Sequence, residues 1–357
     1  MDKGSFKKVL IIRLSALGDT IHTLPLAAAL KKQYPDIQLD WIVEDKASKF
    51  IINNPLIDNS YELKRNKQGK IKDKLRNFIE YILTIRKIRK EKYDIVIDTQ
   101  QLLKSAVILG LSGGKRKITL DNGREFSGFF ANEIIKTGRK QFDINFHVVK
   151  RTLEIAKYLG CKDIEPKFVL PDLSKEYSQY IKEIINNLDK SKKTIILAPV
   201  TTWENKHWTI EGWSCIINEF KNEYNIIITA AETEKKYIDT ILKNIPDKNK
   251  IINLAGLTTL SDLVLIYKHA DIIISPDSGS LHIGWAIQSP YIVSLFFATS
   301  AKRTAPYGDK YYSVSADLQC SPCMKKKCRK KDNLNMCRTK IQPQKIINIV
   351  KKVLQQN

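Results

Sequence analysis

The chain alternates short apolar runs with amphipathic segments of helical period, and this alternation restricts its possible folds more than any other feature. The runs VLIIRL and DIVIDT are almost wholly apolar, which is typical of strands in a parallel sheet that is covered on both faces. The alternation occurs in two series along 357 residues, a length that allows two domains of ordinary size. The pattern therefore predicts an α/β protein with two parallel sheets.

The individual elements follow from the same pattern. We predict a helix over residues 21–33 and a long basic amphipathic helix over residues 70–92. The predicted strands are KKVLIIRL, QLDWIVE, YDIVIDT and KITLD in the first series, and TIILAPV, NIIITA, IINLAG, DIIISPD and PYIVSLF in the second. In parallel α/β sheets, ligands bind at the carboxyl ends of the strands, so the informative residues should follow these runs.

A proline-bracketed stretch, residues 166–174, is the predicted linker between the two series. The predicted domains are residues 1–168 and residues 169–340, and residues 341–357 form a closing C-terminal helix. Two such domains are expected to place their strand ends around a shared cleft.

The net charge is +22, from 60 Lys and Arg residues against 38 Asp and Glu residues. This excess indicates a polyanionic partner, with lysine enrichment from compositional bias as the alternative. Residues 64–92 hold twelve Lys and Arg residues against Asp73, Glu80 and Glu91. The aromatic residues there, Phe78 and Tyr81, have helix-core spacing, which disfavours nucleic acid and leaves a phosphorylated substrate or an anionic membrane face.

No apolar run approaches the roughly 18–20 residues that cross a bilayer. Arg13 also interrupts the N-terminal apolar stretch, and no small-residue cleavage site follows it, so no secretory signal is predicted. We expect a cytoplasmic protein and a monomer.

Four cysteines crowd the C-terminal region with the spacing Cys320-x2-Cys323-x4-Cys328-x8-Cys337. In a cytosolic protein such a cluster indicates metal before disulfides, so a structural zinc site is predicted there. Reduced or redox-labile thiols are the alternative.

The segment SPDSGSLH lies between a buried strand and a helix. Ser278, Gly279 and Ser280 are small, and a helix that starts there offers N–H groups and a favourable dipole to an anion. His282 falls in the first turn of that helix. The alternative is a helix cap without any ligand.

Two other strand ends carry polar residues. The segment APVTTWENKHW carries Thr201, Thr202 and Lys206, whose hydroxyls and ammonium could bind a phosphate or pyrophosphate leaving group. The alternative is a surface loop in which a threonine caps a turn. Glu232 follows NIIITA and could accept hydrogen bonds from a ribose diol or an adenine amino group. The alternative is that it is a carboxylate at a helix start, favoured by the helix dipole.

The opening loop RLSALGDT has one glycine, Gly18, followed by Asp19. The chain contains neither G-x-G-x-x-G nor a Walker A motif, which weighs against dinucleotide-dependent hydride transfer and P-loop NTPase activity. It also lacks an Asp-x-Asp pair to hold a divalent metal on a diphosphate, so no cofactor is predicted for the reaction.

Four segments of the chain together resemble the family-nine glycosyltransferases, and the resemblance covers nearly the whole chain. The segments are VLIIRLSALGDTIHTLPLAAALKKQYP, DTQQLLKSA, APVTTWENKHW and SPDSGSLHIGWA. The resemblance implies a GT-B fold of two Rossmann-like domains, with the acceptor on the N-terminal side and the nucleotide sugar on the C-terminal side. It is strongest to the type I branch, which implies inverting transfer of heptose from ADP-heptose to a Kdo hydroxyl of Kdo-lipid A. The lipid acceptor in turn implies a protein that is peripheral on the cytoplasmic face of the inner membrane, reached through a basic face. A type II enzyme, or one that uses another nucleotide sugar, is the alternative.

The resemblance also implies roles for individual residues. Asp19 matches the catalytic carboxylate, which would act as the general base. The matched donor contacts are Thr201, Thr202, Lys206, Glu232, Leu257, Asp277, Ser278, Gly279 and His282. The matched acceptor contacts are Lys104 and Arg124, with Lys64 and Arg65 as looser matches.

Overall fold

The computed structural model describes residues 6–64, 71–139, 143–243, 245–288, 290–330, 332 and 334–355, with the backbone alone for residues 71–74. The chain divides into two compact units, Met1–Asp172 and Leu173–Asn357, here called the first and the second unit. Each unit contains one parallel sheet with helices packed on it.

The described part of the first unit contains a six-stranded parallel sheet. Its strands are β1 (Lys8–Ile12), β2 (Gln38–Glu44), β3 (Asn59–Leu63), β4 (Ile95–Asp98), β5 (Arg116–Leu120) and β6 (Glu133–Ile135). They lie in the order β3-β2-β1-β4-β5-β6. The α-helices are α1 (Leu17–Gln33), α2 (Ile71–Lys90), α3 (Leu103–Leu111) and α4 (Val148–Tyr158). A 3₁₀ helix, Ser127–Phe130, connects β5 to β6.

The second unit has the same plan in its described residues, with six parallel strands. These are β7 (Thr194–Leu197), β8 (Asn225–Ile228), β9 (Ile251–Asn253), β10 (Ile272–Pro276), β11 (Tyr291–Phe296) and β12 (Tyr311–Ser315), in the order β12-β11-β10-β7-β8-β9. The helices are α5 (Gln179–Asn186), α6 (Ile210–Phe220), α7 (Lys235–Lys243), α8 (Leu260–Lys268), α9 (Gly279–Ile287), α10 (Ala301–Thr304), α11 (Met336–Lys340) and α12 (Pro343–Gln355).

The interior strands are built from the apolar runs. Every residue of β4 and of β7 is buried, because helices cover both faces of each sheet. The prediction of an α/β protein with two parallel sheets is confirmed.

Three strands were missed by the sequence analysis: β3, β6 and β12. Each lies at an edge of its sheet and has polar, partly exposed residues, as in the NSYEL of β3. An edge strand has a neighbour on one side only, so it does not require an apolar run.

The prediction for α1 was wrong at its start, because the helix begins at Leu17 and not at residue 21. Ala16 is the N-cap residue, and its backbone N–H donates to the carboxylate of Asp19 at 3.4 Å. Gly18 and Asp19 therefore lie in the first helical turn and not in a loop before the helix.

Among the residues that the structure describes, no helix combines the length and the apolar character that a membrane span requires.

Candidate active site

In the first unit, the central strands β1 and β4 place the opening segment beside the segment that follows Asp98. Ile12 pairs with Asp98 at the carboxyl ends of the two strands. Beyond this pair, Nη1 of Arg13 donates to the carbonyl of Thr99 at 2.7 Å, and the N–H of Leu14 donates to Oε1 of Gln100 at 2.8 Å. The turn into α1 is therefore anchored to the neighbouring strand end.

Asp19 is held at this strand end by an ion pair. Nη2 of Arg13 lies 2.7 Å from Oδ2 of Asp19, and the two side chains are 11% and 42% exposed. The carboxylate is thus fixed by a largely buried guanidinium and by the start of α1, yet much of it faces solvent. Such a group can accept a proton from a ligand that approaches this edge of the sheet.

Lys104 reaches the same opening segment. Its Nζ donates to Oε1 of Glu44 at 2.8 Å and to Oγ of Ser15 at 3.2 Å. The structure thus brings Lys104 and Asp19, two of the residues predicted from the resemblance, to the residues that follow β1.

The other predicted acceptor residues lie elsewhere in the first unit. Arg124 is exposed in the turn after β5, where its N–H donates to the carbonyl of Gln101 at 3.2 Å. Lys64 is exposed just after β3, and its N–H donates to Oε1 of Glu80 at 3.4 Å. Arg65 lies outside the described residues.

Asp98, the last residue of β4, has a buried carboxyl group, and no role was predicted for it from the sequence. Its Oδ1 accepts the N–H of Gln100 at 2.8 Å, and its Oδ2 accepts the hydroxyl of Ser105 at 3.0 Å. Burial raises the pKa of Asp98 to about 6, although these hydrogen bonds favour the ionised form. Asp98 therefore shapes the turn after β4.

In the second unit, the neighbouring strands β7 and β10 bring two of the predicted loops together. Leu197 pairs with Ile274, so the segments that follow leave the sheet side by side. The hydroxyl of Thr201 donates to the carbonyl of Asp277 at 3.1 Å. The segment APVTTWENKHW therefore contacts the segment SPDSGSLH.

A buried ion pair lies where these loops meet. Nζ of Lys206 donates to Oδ2 of Asp277 at 2.7 Å and to its carbonyl oxygen at 3.1 Å. Nε2 of His282 lies 3.4 Å from Oδ1 of the same carboxylate. The Lys206 ammonium also lies 4.7 Å from the centroid of the Trp203 ring. Four predicted donor contacts, Thr201, Lys206, Asp277 and His282, thus form one cluster.

The neighbours of Asp277 keep it ionised. Burial raises the pKa of this carboxyl, but the hydrogen bond from His282 and the charge of Lys206 outweigh burial and hold the pKa well below its ordinary value. Two of the three N–H donors of Lys206 serve Asp277, so within the described residues one donor is left for an anionic ligand.

Helix α9 starts directly beyond this pair. Its N-cap is Ser278, whose hydroxyl oxygen accepts the N–H of Leu281 at 3.3 Å, and Gly279 is the first helical residue. A nine-residue helix that begins beside the Lys206 ammonium provides a second source of positive potential for an anion.

The predicted nucleoside contacts follow β8 and β9, which are neighbours in the sheet. Glu232 is exposed, as is 49% of Leu257. Gly256 has a φ of +78°, and a Cβ at this position would overlap the Glu232 carboxylate. Glu232 and the turn that carries Leu257 are therefore side by side.

Glu232 also lies in the first turn of the 3₁₀ helix Glu232–Glu234, so the alternative role, a carboxylate at a helix start, remains open, while the cap itself is formed by Glu234. Oε2 of Glu234 accepts the N–H of Ala231 at 3.0 Å. Thr202 is exposed on the loop after β7.

The zinc site predicted at Cys320, Cys323, Cys328 and Cys337 has no support in the structure. The residues that the structure describes include all four cysteines, and among them no group of three or more His, Cys, Asp or Glu side chains could hold a metal ion. All four are free thiols. Cys337 packs against the apolar core of the second unit, and burial raises its pKa to about 11, which disfavours the thiolate that zinc requires.

The sequence analysis missed three residues of these clusters. Arg13 was interpreted only as the end of an apolar run, although a cation directly after a buried strand is itself an indication of a functional residue. Trp203 lies within a segment that was already singled out. Thr304, whose hydroxyl lies 3.4 Å from Oδ1 of Asp277, comes from α10 and has no local pattern that marks it.

Comparison with known proteins assigns the class. The model of glycosyltransferase family 9 (heptosyltransferase) matches residues 83–333. The chain is 26% identical to the lipopolysaccharide core heptosyltransferase OpsX of Haemophilus influenzae over 85% of this chain and 82% of the relative. It is 29% identical to lipopolysaccharide heptosyltransferase 1 of Campylobacter coli over 84% of this chain and 86% of the relative. Heptosyltransferases 2 and 3 of other bacteria also match.

The fold agrees with this class. The solved structure of Escherichia coli heptosyltransferase WaaC with ADP-2-deoxy-2-fluoro heptose matches with a TM-score of 0.69 and 20% identity, over 97% of this chain and 99% of that one. The chain belongs to glycosyltransferase family 9, and it is a glycosyltransferase. The predicted family and the GT-B fold class are confirmed.

Proposed function

We propose that this protein is an inverting heptosyltransferase of lipopolysaccharide inner-core synthesis. It transfers heptose from ADP-heptose to a Kdo hydroxyl of Kdo-lipid A. The observation that carries the proposal is the cluster of Lys206, Asp277 and His282 at the start of α9, in a chain of glycosyltransferase family 9. Relatives of type 1 support the assignment to this step, and the matches to types 2 and 3 make a later heptose transfer the alternative.

The second unit would bind the donor. Lys206, Thr201 and the start of α9 would hold the diphosphate, because an ammonium and a helix N-terminus both favour the charge that grows on the leaving ADP. Asp277 and His282 would position Lys206, while Glu232 and Leu257 would contact the ribose and the adenine. These groups supply the charge stabilisation, so the proposed reaction requires no cofactor.

The first unit would bind the acceptor and supply the base. Asp19 would take the proton from the acceptor hydroxyl as its oxygen attacks the anomeric carbon. The bond between that carbon and the phosphate oxygen breaks with its electron pair going to ADP, so a single displacement inverts the configuration. Arg13 would orient the carboxylate, and Lys104, Arg124, Lys64 and Arg65 would meet the anionic acceptor.

The proposal also includes the location, the oligomeric state and the partners of the enzyme. We propose a monomer that works on the cytoplasmic face of the inner membrane through a basic face and does not bind nucleic acid. The cations of α2 support this setting.

Binding of nucleotides tests the donor site. We expect isothermal titration calorimetry to show tighter binding of ADP than of UDP, because Glu232 and Leu257 would contact adenine. The Lys206→Met variant should weaken ADP binding by about tenfold or more, since a charged hydrogen bond contributes roughly 1.5–3 kcal/mol, and should leave adenosine binding unchanged. Lys248→Met, at an exposed lysine of the same unit, is the matched control. Equal losses for ADP and adenosine, or a preference for UDP, would contradict the proposed donor site.

A further inference from the structure

The first unit carries an exposed apolar stripe on α2. Leu75, Phe78, Ile79 and Leu83 are between 49% and 61% exposed. They recur every three or four residues, so they lie along one side of the helix. The residues of the helix that join the core, Ile85 and Ile88, lie closer to its C-terminal end. Large apolar side chains in a continuous exposed stripe indicate an interaction surface.

A second exposed group lies at the 3₁₀ helix that connects β5 to β6. Phe126 is 92% exposed and Phe129 is 88% exposed. Phe126 has a φ of +55°, a backbone conformation that a bulky side chain rarely adopts. The turn is nevertheless fixed, because the N–H of Leu103 donates to Oε2 of Glu125 at 2.9 Å. Two phenylalanines are thus held outward by an ordered turn.

These elements cover the same face of the first sheet. Residues of α2 and α3, such as Ile88 and Ile108, join one core cluster with Leu10 of β1. The hydroxyl of Tyr81 on α2 donates to the carbonyl of Lys104 on α3 at 2.6 Å. The 3₁₀ helix packs on α3 in turn. The elements that carry the exposed apolar residues are therefore neighbours in the first unit.

The charges around the stripe indicate its partner. The exposed cations among the described side chains of α2 are Arg76, Arg86, Lys87, Arg89 and Lys90. The one carboxylate among those side chains is Glu80, which accepts the N–H of Lys64. Leu83 and the last four cations line a shallow depression of about 650 Å³. Apolar side chains surrounded by cations match the headgroups and the acyl boundary of an anionic bilayer.

A second copy of this chain is a poorer match for the surface. Self-association through α2 would place these cations against their own copies, and like charges at an interface oppose binding.

We propose that this docking surface, formed by the exposed residues of α2 together with Phe126 and Phe129, seats the first unit on an anionic lipid bilayer. The apolar side chains enter the boundary between headgroups and acyl chains, and the cations contact the anionic headgroups. The inference rests on the proposed function, whose acceptor lies in a membrane, and it adds the apolar anchors to the basic face.

Sedimentation of the full chain with vesicles tests the docking surface. We expect binding to vesicles of phosphatidylglycerol and phosphatidylethanolamine, weakening as salt rises, and little binding to phosphatidylcholine vesicles. Phe126→Ser/Phe129→Ser should weaken binding by about tenfold or more, because two buried phenylalanines are lost from the bilayer. The control is Leu334→Ser, since Leu334 is an exposed apolar residue of the second unit, 64% accessible.

The depth of insertion provides an independent reading. A tryptophan introduced by Phe126→Trp should shift its emission to the blue on anionic vesicles and be quenched by brominated acyl chains. Unchanged vesicle binding in the double variant, equal binding to phosphatidylcholine, or no quenching would overturn the proposal. A wild-type dimer that the double variant converts to a monomer, with vesicle binding intact, would assign the surface to self-association and overturn it as well.

Failure of this proposal can be told apart from failure of the proposed function. The double variant should transfer sugar to a deacylated, water-soluble Kdo acceptor as fast as the wild type does, and more slowly to Kdo-lipid A in vesicles. Wild-type protein that binds vesicles but uses neither acceptor would contradict the proposed function and leave the docking surface supported.

Discussion

At the scale of single residues, Asp19 combines a structural role with the proposed catalytic one. Its carboxylate accepts the N–H of Ala16 at the start of α1 and pairs with Arg13, so it stabilises the helix start. Its side chain is also 42% exposed at a strand end, so a ligand can reach it. The ion pair holds the carboxylate in a fixed orientation, which a general base requires.

Replacement of Asp19 by asparagine separates these roles. Asparagine keeps an oxygen for the Ala16 N–H but is not a base, so we expect kcat to fall by about 10²–10⁴-fold while the KM for the donor changes little. Steady-state kinetics with the purified variant measures this. The control is Asp36→Asn, which changes an exposed aspartate between α1 and β2. A kcat within a few-fold of the wild-type value would remove Asp19 from the role of base.

Some of these residues could be found from the sequence and others could not. Asp19, Lys206 and Asp277 each follow an apolar run within a few residues, so local sequence marks them. Thr304 reaches Asp277 from a part of the chain 27 positions away, and only tertiary packing brings it there. The start of α1 was predicted too late in the chain. The hydrogen bond from the Ala16 N–H to the Asp19 carboxylate caps the helix, and such a contact leaves no trace in the pattern of apolar residues.

At the scale of elements, the sheets show why the interior strands could be predicted and why three of the four edge strands could not. Strands β4 (IVID) and β10 (IIISP) are buried throughout because helices cover both of their faces, and most of their residues are apolar. Strand β3 lies at an edge of its sheet and is only partly buried, with Asn59 and Ser60 exposed. Its sequence, NSYEL, resembles that of a loop. The order of strands, which places β7 beside β10, follows from pairing between distant segments and not from any local pattern.

The loop between β10 and α9 gives a prediction about pH. The pKa of folded Asp277 lies below the ordinary value of 3.8, so its stabilising effect is complete above that value and is lost as the pH falls through the folded pKa. Asp277→Asn should therefore destabilise the protein equally at pH 7 and pH 5, by about 3–5 kcal/mol for a broken buried pair. Below about pH 4 the difference from wild type should narrow. Thermal unfolding across this range measures the difference, and a gap that widens in acid would contradict the account.

The turn after β9 gives a second prediction at this scale. An alanine at Gly256 must adopt a left-handed backbone, which costs about 1–2 kcal/mol, and its Cβ would displace the Glu232 carboxylate. Gly138→Ala is a matched control, because Gly138 has a φ of +67° and open space around it. We expect Gly256→Ala to lower the unfolding temperature more than Gly138→Ala does and to weaken ADP binding. Equal destabilisation with unchanged ADP binding would contradict the proposed nucleoside site.

At the scale of the whole molecule, the two units carry different chemistry. The first unit has the exposed carboxylate of Asp19 and the basic and apolar docking surface, whereas the second unit has a buried ion pair at a helix start. An inverting transferase requires this division, because a base must activate the acceptor while cationic groups stabilise the leaving diphosphate. The excess of positive charge, +22 in all, is explained in part by the membrane partner proposed for α2.

Mass spectrometry of the reaction product tests the central claim most directly. Purified protein is incubated with Kdo-lipid A and either ADP-heptose or a UDP-sugar. The account predicts that Kdo-lipid A gains the mass of one heptosyl group, with release of ADP, from ADP-heptose alone, and that Asp19→Asn slows this gain by about 10²-fold or more. A product formed from a UDP-sugar would contradict the assignment of the donor. A product formed only when the acceptor already carries a heptose would contradict the assignment of the step.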